Sequence, residues 1–426
     1  MKGTKYITLF ACIILILGLC SFLYPRADDQ VVAIRGGKLV TITGGDIDKG
    51  VILIKEGKIA AIGKDVAIPE GAKVIDAEGC IVLPGLIDSF TNLGTVEAEG
   101  IEQTRDYDEA TSPITPHMRV IDALNPESKL LSVARMSGVT AALSAPGEGN
   151  LLTGQSALIR LTGNSVEEMV VKFPVAVHGS MGEAPKLRYG GKGQAPSTRM
   201  GIAALLRQTF IDAQDYLDKL TSYEEKLKEY QQQEKEGKAD PAKKPAPPAV
   251  DFKLQSLIPI IKGELPLIVR ANRMDDILTA LRIAEEFKLK IILNHGADAH
   301  KVAAQLAAGN IPVIVGPLTP YRQTVETSQA TYENAALLNK AGVKIAFQTG
   351  SVNNVKSLLY EAGLAVAHGL PYDQALRALT INPAEMFGVA DELGSLEVGK
   401  WADVVIFEGD PLNPQTHIKM VIVWVK

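Results

Sequence analysis

Apolar residues fall in two different rhythms along this chain. From Val31 to Asp76, short β-rich runs alternate with turns (VVAIR, KLVTI, GVILIKEGKIAAIG, AKVIDA), and Lys55-Glu56-Gly57-Lys58 between two apolar runs is a hairpin signal. The stretch from Gly394 to Lys426 has the same character, with GSLEVGKWADVVIF followed by IKMVIVWVK. Neither end is long enough to enclose a core alone. The pattern predicts one small β-sandwich made from both ends, residues 28–80 plus 394–426, with the rest of the chain inserted between them. From 81 to 393, strand-like runs alternate with amphipathic helices, which predicts a parallel sheet of βα units. The strand candidates are 81–88, 139–146, 156–161, 173–180, 266–272, 290–296, 311–317 and 343–350. That is the number a (β/α)8 TIM-like barrel requires, although 156–161 also reads as part of an excursion.

One stretch breaks the alternation. After Pro196-Ser197-Thr198, a helix start, Leu206, Phe210, Ala213, Leu217, Leu220 and Leu227 recur at steps of three, four or seven, close to a heptad. The pattern runs into KADPAKKPAPPAV, a Lys/Ala/Pro linker that cannot pack a core. This predicts a helical and Pro-rich insertion at about 206–252, either lying on its own barrel or presented to a partner.

Composition narrows the classes. A net charge of -5 and a pI near 5.8 give no electrostatic footprint for nucleic acid. Lys2 and Lys5 precede an apolar run from Tyr6 to Tyr24, which reads as an export signal over residues 1–27 and places the body outside the cytoplasm, in the periplasm or secreted. If the segment is not cleaved it is a membrane anchor, the only membrane contact expected; Leu17-Gly18-Leu19-Cys20 is a weaker match to a lipoprotein box. Cys80 is then the single cysteine of the body, expected as a small buried apolar residue. Glycine-rich 147–156 lacks the strand-to-helix context of a phosphate cradle and reads as a pair of tight turns, or a loop over a pocket.

Candidate chemistry centres on Ile81 to Gly94, IVLPGLIDSFTNLG, an apolar run that breaks at Pro84-Gly85 and opens into polar residues. Together with APSTRMG, RMDDILTALRIAEEF, ALTINPAEMFGV and GSLEVGKWAD, this stretch resembles the amidohydrolase superfamily of metal-dependent hydrolases, its imidazolonepropionase-like members in particular, over nearly the whole chain beyond the export segment. The resemblance implies a His-x-His pair on the first barrel strand, a Glu or Lys ligand midway, one His on each of the next two strands and an Asp on the last. Here the pair falls on Phe90 and Asn92, neither of them a zinc ligand, and the first later His falls at Arg270 or Asn272. The Asp that moves protons falls on Gly350. Losing such a group typically costs ~10²- to 10⁴-fold in rate. Glu183, in HGSMGEAPK, and His295, in IILNHGAD, remain as metal ligands, with His178 a third candidate, so at most one divalent ion such as zinc is implied.

Phe90, Asn92, Arg270, Asn272 and Gly350 would then line a ligand pocket. The implied function is a non-catalytic or weakly active subunit that binds a small molecule or a partner. That partner would be a catalytically complete paralogue or a second copy of this chain. The alternatives are a one-metal hydrolase of C–N bonds, and a ligand-binding barrel in which Arg270 holds a carboxylate.

Overall fold

The computed structural model describes residues 30–318 and 324–425. The export-segment reading of residues 1–27 lies outside the described residues. The strands are β1 (Val32–Val40), β2 (Asp46–Lys55), β3 (Lys58–Gly63), β4 (Lys73–Asp76), β5 (Ile81–Pro84), β6 (Leu86–Thr91), β7 (Val139–Ser144), β8 (Leu152–Gln155) and β9 (Ala157–Arg160). They continue as β10 (Val170–Lys172), β11 (Val177–Ser180), β12 (Leu267–Ala271), β13 (Ile291–His295), β14 (Val313–Val315), β15 (Ile345–Phe347), β16 (Val404–Phe407) and β17 (Ile418–Ile422).

The two chain ends share one seven-stranded sheet, ordered β17-β16-β5-β1-β2-β3, with β4 beside the first half of β1. Glu56 and Gly57 both have positive φ, 52° and 73°, and Lys55 pairs with Lys58, as a two-residue hairpin requires. Ile34, Ile52, Ile54, Val82, Val404 and Ile406 bury together, so the N- and C-terminal segments supply one core, and Cys80 is buried in it.

The 81–88 stretch is not one strand. β5 belongs to the terminal sheet and β6 to the barrel, and the chain passes from one to the other at Gly85. A Cβ there would lie 1.9 Å from Thr140 Oγ1, so no other residue fits the crossing.

The barrel has eight staves, but they are not all parallel. β6 pairs with β7, and β11 through β15 pair in succession, all parallel. Between the two groups β9 runs antiparallel to β7, and β8 runs antiparallel to β11. β8 and β9, separated only by Ser156, act as one descending third stave. The expectation of βα units throughout therefore fails here, and 156–161 forms half of this reversed stave. The reason is length: residues 145–151 join β7 to β8, and a parallel return needs a crossover of about a dozen residues or more. The connection accordingly stays at the rim where β7 ends.

Closure between first and last staves relies on a side chain. The Asp88 carboxylate accepts hydrogen bonds from Thr349 N at 3.1 Å and Thr349 Oγ1 at 2.5 Å, and Gly350 N donates to the Phe90 carbonyl at 3.2 Å. Inside the barrel, Ala141, Leu143, Leu158, Ile268, Ile292 and Ile314 form an apolar floor.

The insertion is the 37-residue helix Arg199–Lys235, capped by Thr198, whose Oγ1 accepts from Gly201 N. Its first half buries Ile202, Leu206, Phe210, Ala213 and Tyr216, and Phe210 packs on Phe287 with ring centroids 5.3 Å apart. Past Tyr216, Tyr230 is the single buried residue. Asp251 N donates to Tyr216 Oη at 3.4 Å, closing the excursion where the helix leaves the barrel.

Candidate functional site

Side chains alternate across a strand, so the residues two places beyond the apolar floor face into the barrel mouth at the C-terminal ends of the staves. They are Arg270 above Ile268, Asn294 above Ile292 and Gln348 above Ala346, with His178 on β11. This layer is polar and cross-linked: Gln348 Nε2 donates to Asn294 Oδ1 at 2.9 Å and to the Gly316 carbonyl at 2.8 Å.

The centre of the layer is Glu148, from the 145–151 loop. Its Oε1 accepts from Asn294 Nδ2 at 2.9 Å, and His295 Nε2 lies 3.0 and 2.9 Å from its two oxygens. Arg270 Nε stands 3.1 Å from Oε2 as an ion pair without an aligned hydrogen bond. His295 reaches this position with φ at +69°, a backbone conformation rare outside glycine and frequent at working sites.

The loop carrying Glu148 is tied on both sides. Asn92 Nδ2 donates to the Ala145 carbonyl at 2.9 Å, and Gly147 N donates to the Tyr107 carbonyl at 2.7 Å. Asn150 Nδ2 donates to the Glu109 carbonyl and to Thr115 Oγ1, and Tyr189 Oη donates to Asn150 Oδ1 at 2.6 Å.

Burial pushes the Glu148 carboxyl up, but His295 and Arg270 outweigh it and hold the group below the usual carboxylate range. His178 is driven down to about 4 by burial, against the pull of Glu148, so its imidazole is neutral at pH 7. Asp88 is raised to about 7 by burial, which its hydrogen bonds from Thr349 and Phe90 N only partly offset. The Phe90 ring lies against His178 and His295, with centroids 5.7 and 6.3 Å apart.

Of the residues singled out from sequence, Phe90, Arg270, His295 and His178 come together around Glu148. Asn92 points instead to the Ala145 carbonyl and positions the loop. Asn272 sits above Arg270, accepting from Ala297 N at 3.4 Å. Gly350, φ +75°, contributes only backbone to the seam with Phe90.

Glu183 is not joined to His295. It opens the helix Glu183–Gly190 and gives its N–H to Glu326 Oε1 at 2.5 Å, in a separate cluster where Arg199 bridges Asp276 and Glu326. The reading of 147–156 as a mere turn pair is also corrected, since it delivers Glu148. Asn294 and Gln348 were missed as well. The available signal for Glu148 was the seven-residue connection, too short to carry the chain away from the rim.

Among the described residues no three His, Cys, Asp or Glu side chains converge to hold a metal ion. Around Glu148 the donors do not fit one: both Glu148 oxygens and His295 Nε2 engage each other, and the fixed cation Arg270 lies 3.1 Å from Oε2.

A cavity of about 460 Å³ opens beside Arg270, Asn272 and His295 and runs out past Val315, Pro317, Leu318 and Tyr360. A larger groove of about 1130 Å³ lies at the other end of the barrel, beside Pro266, Lys290 and Pro312, where strands begin. The convergent polar groups are at the first of these, the end where barrels of this kind carry their sites.

Comparison with known proteins gives a consistent result. A model of the amidohydrolase family matches residues 279–423. A solved amidohydrolase structure from Thermotoga maritima superposes with a TM-score of 0.82 at 33% identity, covering 92% of this chain and 98% of that one. The amidohydrolase tasK of Hapsidospora irregularis is 25% identical over 85% of this chain, and the chain spans 38% of its length. An imidazolonepropionase from Sphingopyxis alaskensis is 26% identical over 88% of this chain and 91% of its own.

Proposed function

The chain belongs to the amidohydrolase superfamily, and on that premise we propose that it is an exported, metal-independent member whose barrel binds a small ligand or a partner rather than turning over substrate at speed. Members of the superfamily typically use a divalent metal such as zinc to activate water. The observation that carries the reading is Glu148, held between Arg270, Asn294 and His295 in the middle of the barrel mouth. A guanidinium there supplies positive charge without a coordination sphere, and it neither polarises nor deprotonates a water as zinc does. Phe90 and Gly350 support the same reading, because they offer neither a ligand nor a proton carrier at positions where the superfamily resemblance implies both.

Metal analysis of the purified full-length protein tests it. Zinc well below one per chain is the expected result, and near-stoichiometric zinc that survives dialysis against a chelator would overturn it. Export and partner are read from the N-terminal segment and the changed site. Cell fractionation of the tagged protein tests the first, and co-purification with a complete paralogue from the native envelope tests the second.

A second reading, a one-metal hydrolase of C–N bonds, is favoured by His178 Nε2 and Glu183 Oε2, buried atoms without a hydrogen-bond partner. It requires that Glu183→Ala and His295→Ala each abolish both metal uptake and turnover of a lactam or cyclic amide. Unchanged behaviour in both variants would remove it.

A further inference from the structure

We propose that the barrel mouth is a receptor site for a small carboxylate, and that Glu148 occupies it as an internal stand-in which the ligand displaces. The inference rests on the metal-independent reading of the same site and adds the class of ligand.

Glu148 already presents a carboxylate there, and three groups from adjacent staves converge on it: Arg270 from β12, and Asn294 and His295 from β13. The fit is incomplete. Arg270 Nε is buried 3.1 Å from Oε2, yet it makes no aligned hydrogen bond. Around the same mouth His178 Nε2, Ser180 Oγ and Asn272 Nδ2 are buried without a hydrogen-bond partner, in residues 4%, 1% and 2% exposed. Buried polar groups are normally paired, so a cluster of such atoms marks a place where a polar ligand completes the set.

The cavity of about 460 Å³ touches Arg270, Asn272 and His295 and continues between Val315, Pro317, Leu318 and Tyr360. Thr331, Asn334, Ser357 and the buried Glu361 also line it, so it suits an anionic head at Arg270 with a short, uncharged and partly polar body, and the volume lies within the range of small-molecule sites.

Glu148 is built to leave. Its side chain is 22% exposed and so has a way out to solvent. Gly147 and Gly149 flank it, and the hydrogen bonds that hold the loop sit on Ala145, Gly147 and Asn150 rather than on Glu148. The side chain can swing out while the loop stays in place. A phosphate suits the site less well, because its second negative charge would have to share the cavity with buried Glu361, whose carboxylate accepts from Leu318 N.

The test is calorimetric titration of the full-length protein and of E148Q with formate, acetate, butyrate and benzoate, with benzamide and inorganic phosphate as counter-probes. Glutamine keeps the shape of the stand-in and removes its charge. At least one carboxylate should bind E148Q about tenfold or more tightly than it binds the wild type, as expected for a charge-assisted contact freed from competition. Benzamide should show no such gain, and R270M on the E148Q background should abolish it. Equal affinities for wild type and E148Q, or an equal gain with benzamide or phosphate, would overturn the inference.

If E148Q lacks a cooperative melting transition, thermal shifts of the wild type decide. Stabilisation by carboxylates and not by benzamide supports the inference, and its absence overturns it. Zinc is measured on the same sample. One zinc per chain overturns the underlying reading, whereas a zinc-free protein that ignores carboxylates overturns the inference alone.

Discussion

Two carboxylates in this barrel have opposite electrostatic situations, and each makes a separate prediction. Glu148 is held below the usual carboxylate range by His295 and Arg270, so removing Arg270 leaves a partly buried charge without one of its two supports. Arg270→Met is expected to destabilise the fold by about 1–3 kcal/mol, less than for a fully buried pair because both side chains keep some solvent contact. Adding Glu148→Leu should recover most of that loss, as read from urea midpoints.

Asp88 is the reverse case. Its folded-state pKa, about 7, lies above the ordinary carboxylate value, so between about pH 4 and 7 the folded protein holds a proton that the unfolded chain has released. Its contribution is therefore fully present below about pH 4 and is lost as pH rises through 7, on the order of a few kcal/mol. Asp88→Asn stays neutral throughout, and Thr349 Oγ1 can turn from donor to acceptor to meet the amide. The stability difference between wild type and D88N should shift in favour of the variant from pH 4 to 7 and then level off. A difference that does not change with pH would contradict the account.

Among secondary-structure elements, the reversed stave and the long helix show where the sequence could be read and where it could not. Arg270 and Asn272 were named from the superfamily resemblance, whereas Asn294 follows the unbroken apolar run 291–293, in which no alternation marks the inward face. The hairpin at Glu56-Gly57 and the Thr198 cap are plain in the sequence. Glu148 was not legible as a site residue, because a single Glu between glycines has the composition of a turn and only the length of its connection distinguishes it. Glu183 was misplaced for the opposite reason: a motif fixed its position in the chain, but Gly182 and the helix it starts tie its backbone to the Glu326 cluster.

For the helix, period alone could not separate packing from protrusion, since both want the same apolar stripe. The structure divides it at Tyr216. Replacing 217–250 by a short Gly/Ser linker should therefore change stability by no more than about 1 kcal/mol, because the ends are already held together by the Asp251 N to Tyr216 Oη bond. Phe210→Ala, in the packed half, should cost about 3–5 kcal/mol. Comparable losses in the two variants would mean that the outer half is structural.

At the scale of the molecule, the terminal sheet and the barrel share an apolar core that includes Leu83, Val405 and Phe407, and a buried ion pair crosses between them. Arg160 on β9 donates from Nε to Asp403 Oδ2 at 3.0 Å, with a second short contact from Nη2 to Oδ1, and its guanidinium lies 4.3 Å from the Trp401 ring centroid. Burial pushes the Asp403 carboxyl up and Arg160 opposes it. Arg160→Met leaves Asp403 uncompensated between the two units and is expected to cost about 3–5 kcal/mol in denaturant unfolding. The double change with Asp403→Leu should be close to neutral. The rhythm, together with the superfamily resemblance, predicted a β-sandwich from both ends around an inserted barrel; the described strands of the two ends instead pair in one seven-stranded sheet. The contact between Arg160 and Asp403 was not legible, since 243 positions separate them, and although Asp403 closes the GSLEVGKWAD stretch nothing in that motif names Arg160 as its partner.

The Arg270 pair with Glu148 also bears on how the site is assembled. A zinc centre is loaded after or during folding and depends on supply, competing ions and chelators. A guanidinium arrives with the polypeptide. On the metal-independent reading proposed above, the mouth of this barrel takes its charge from translation itself, needs no maturation step, and keeps the same electrostatic character in a metal-starved environment as in a metal-rich one.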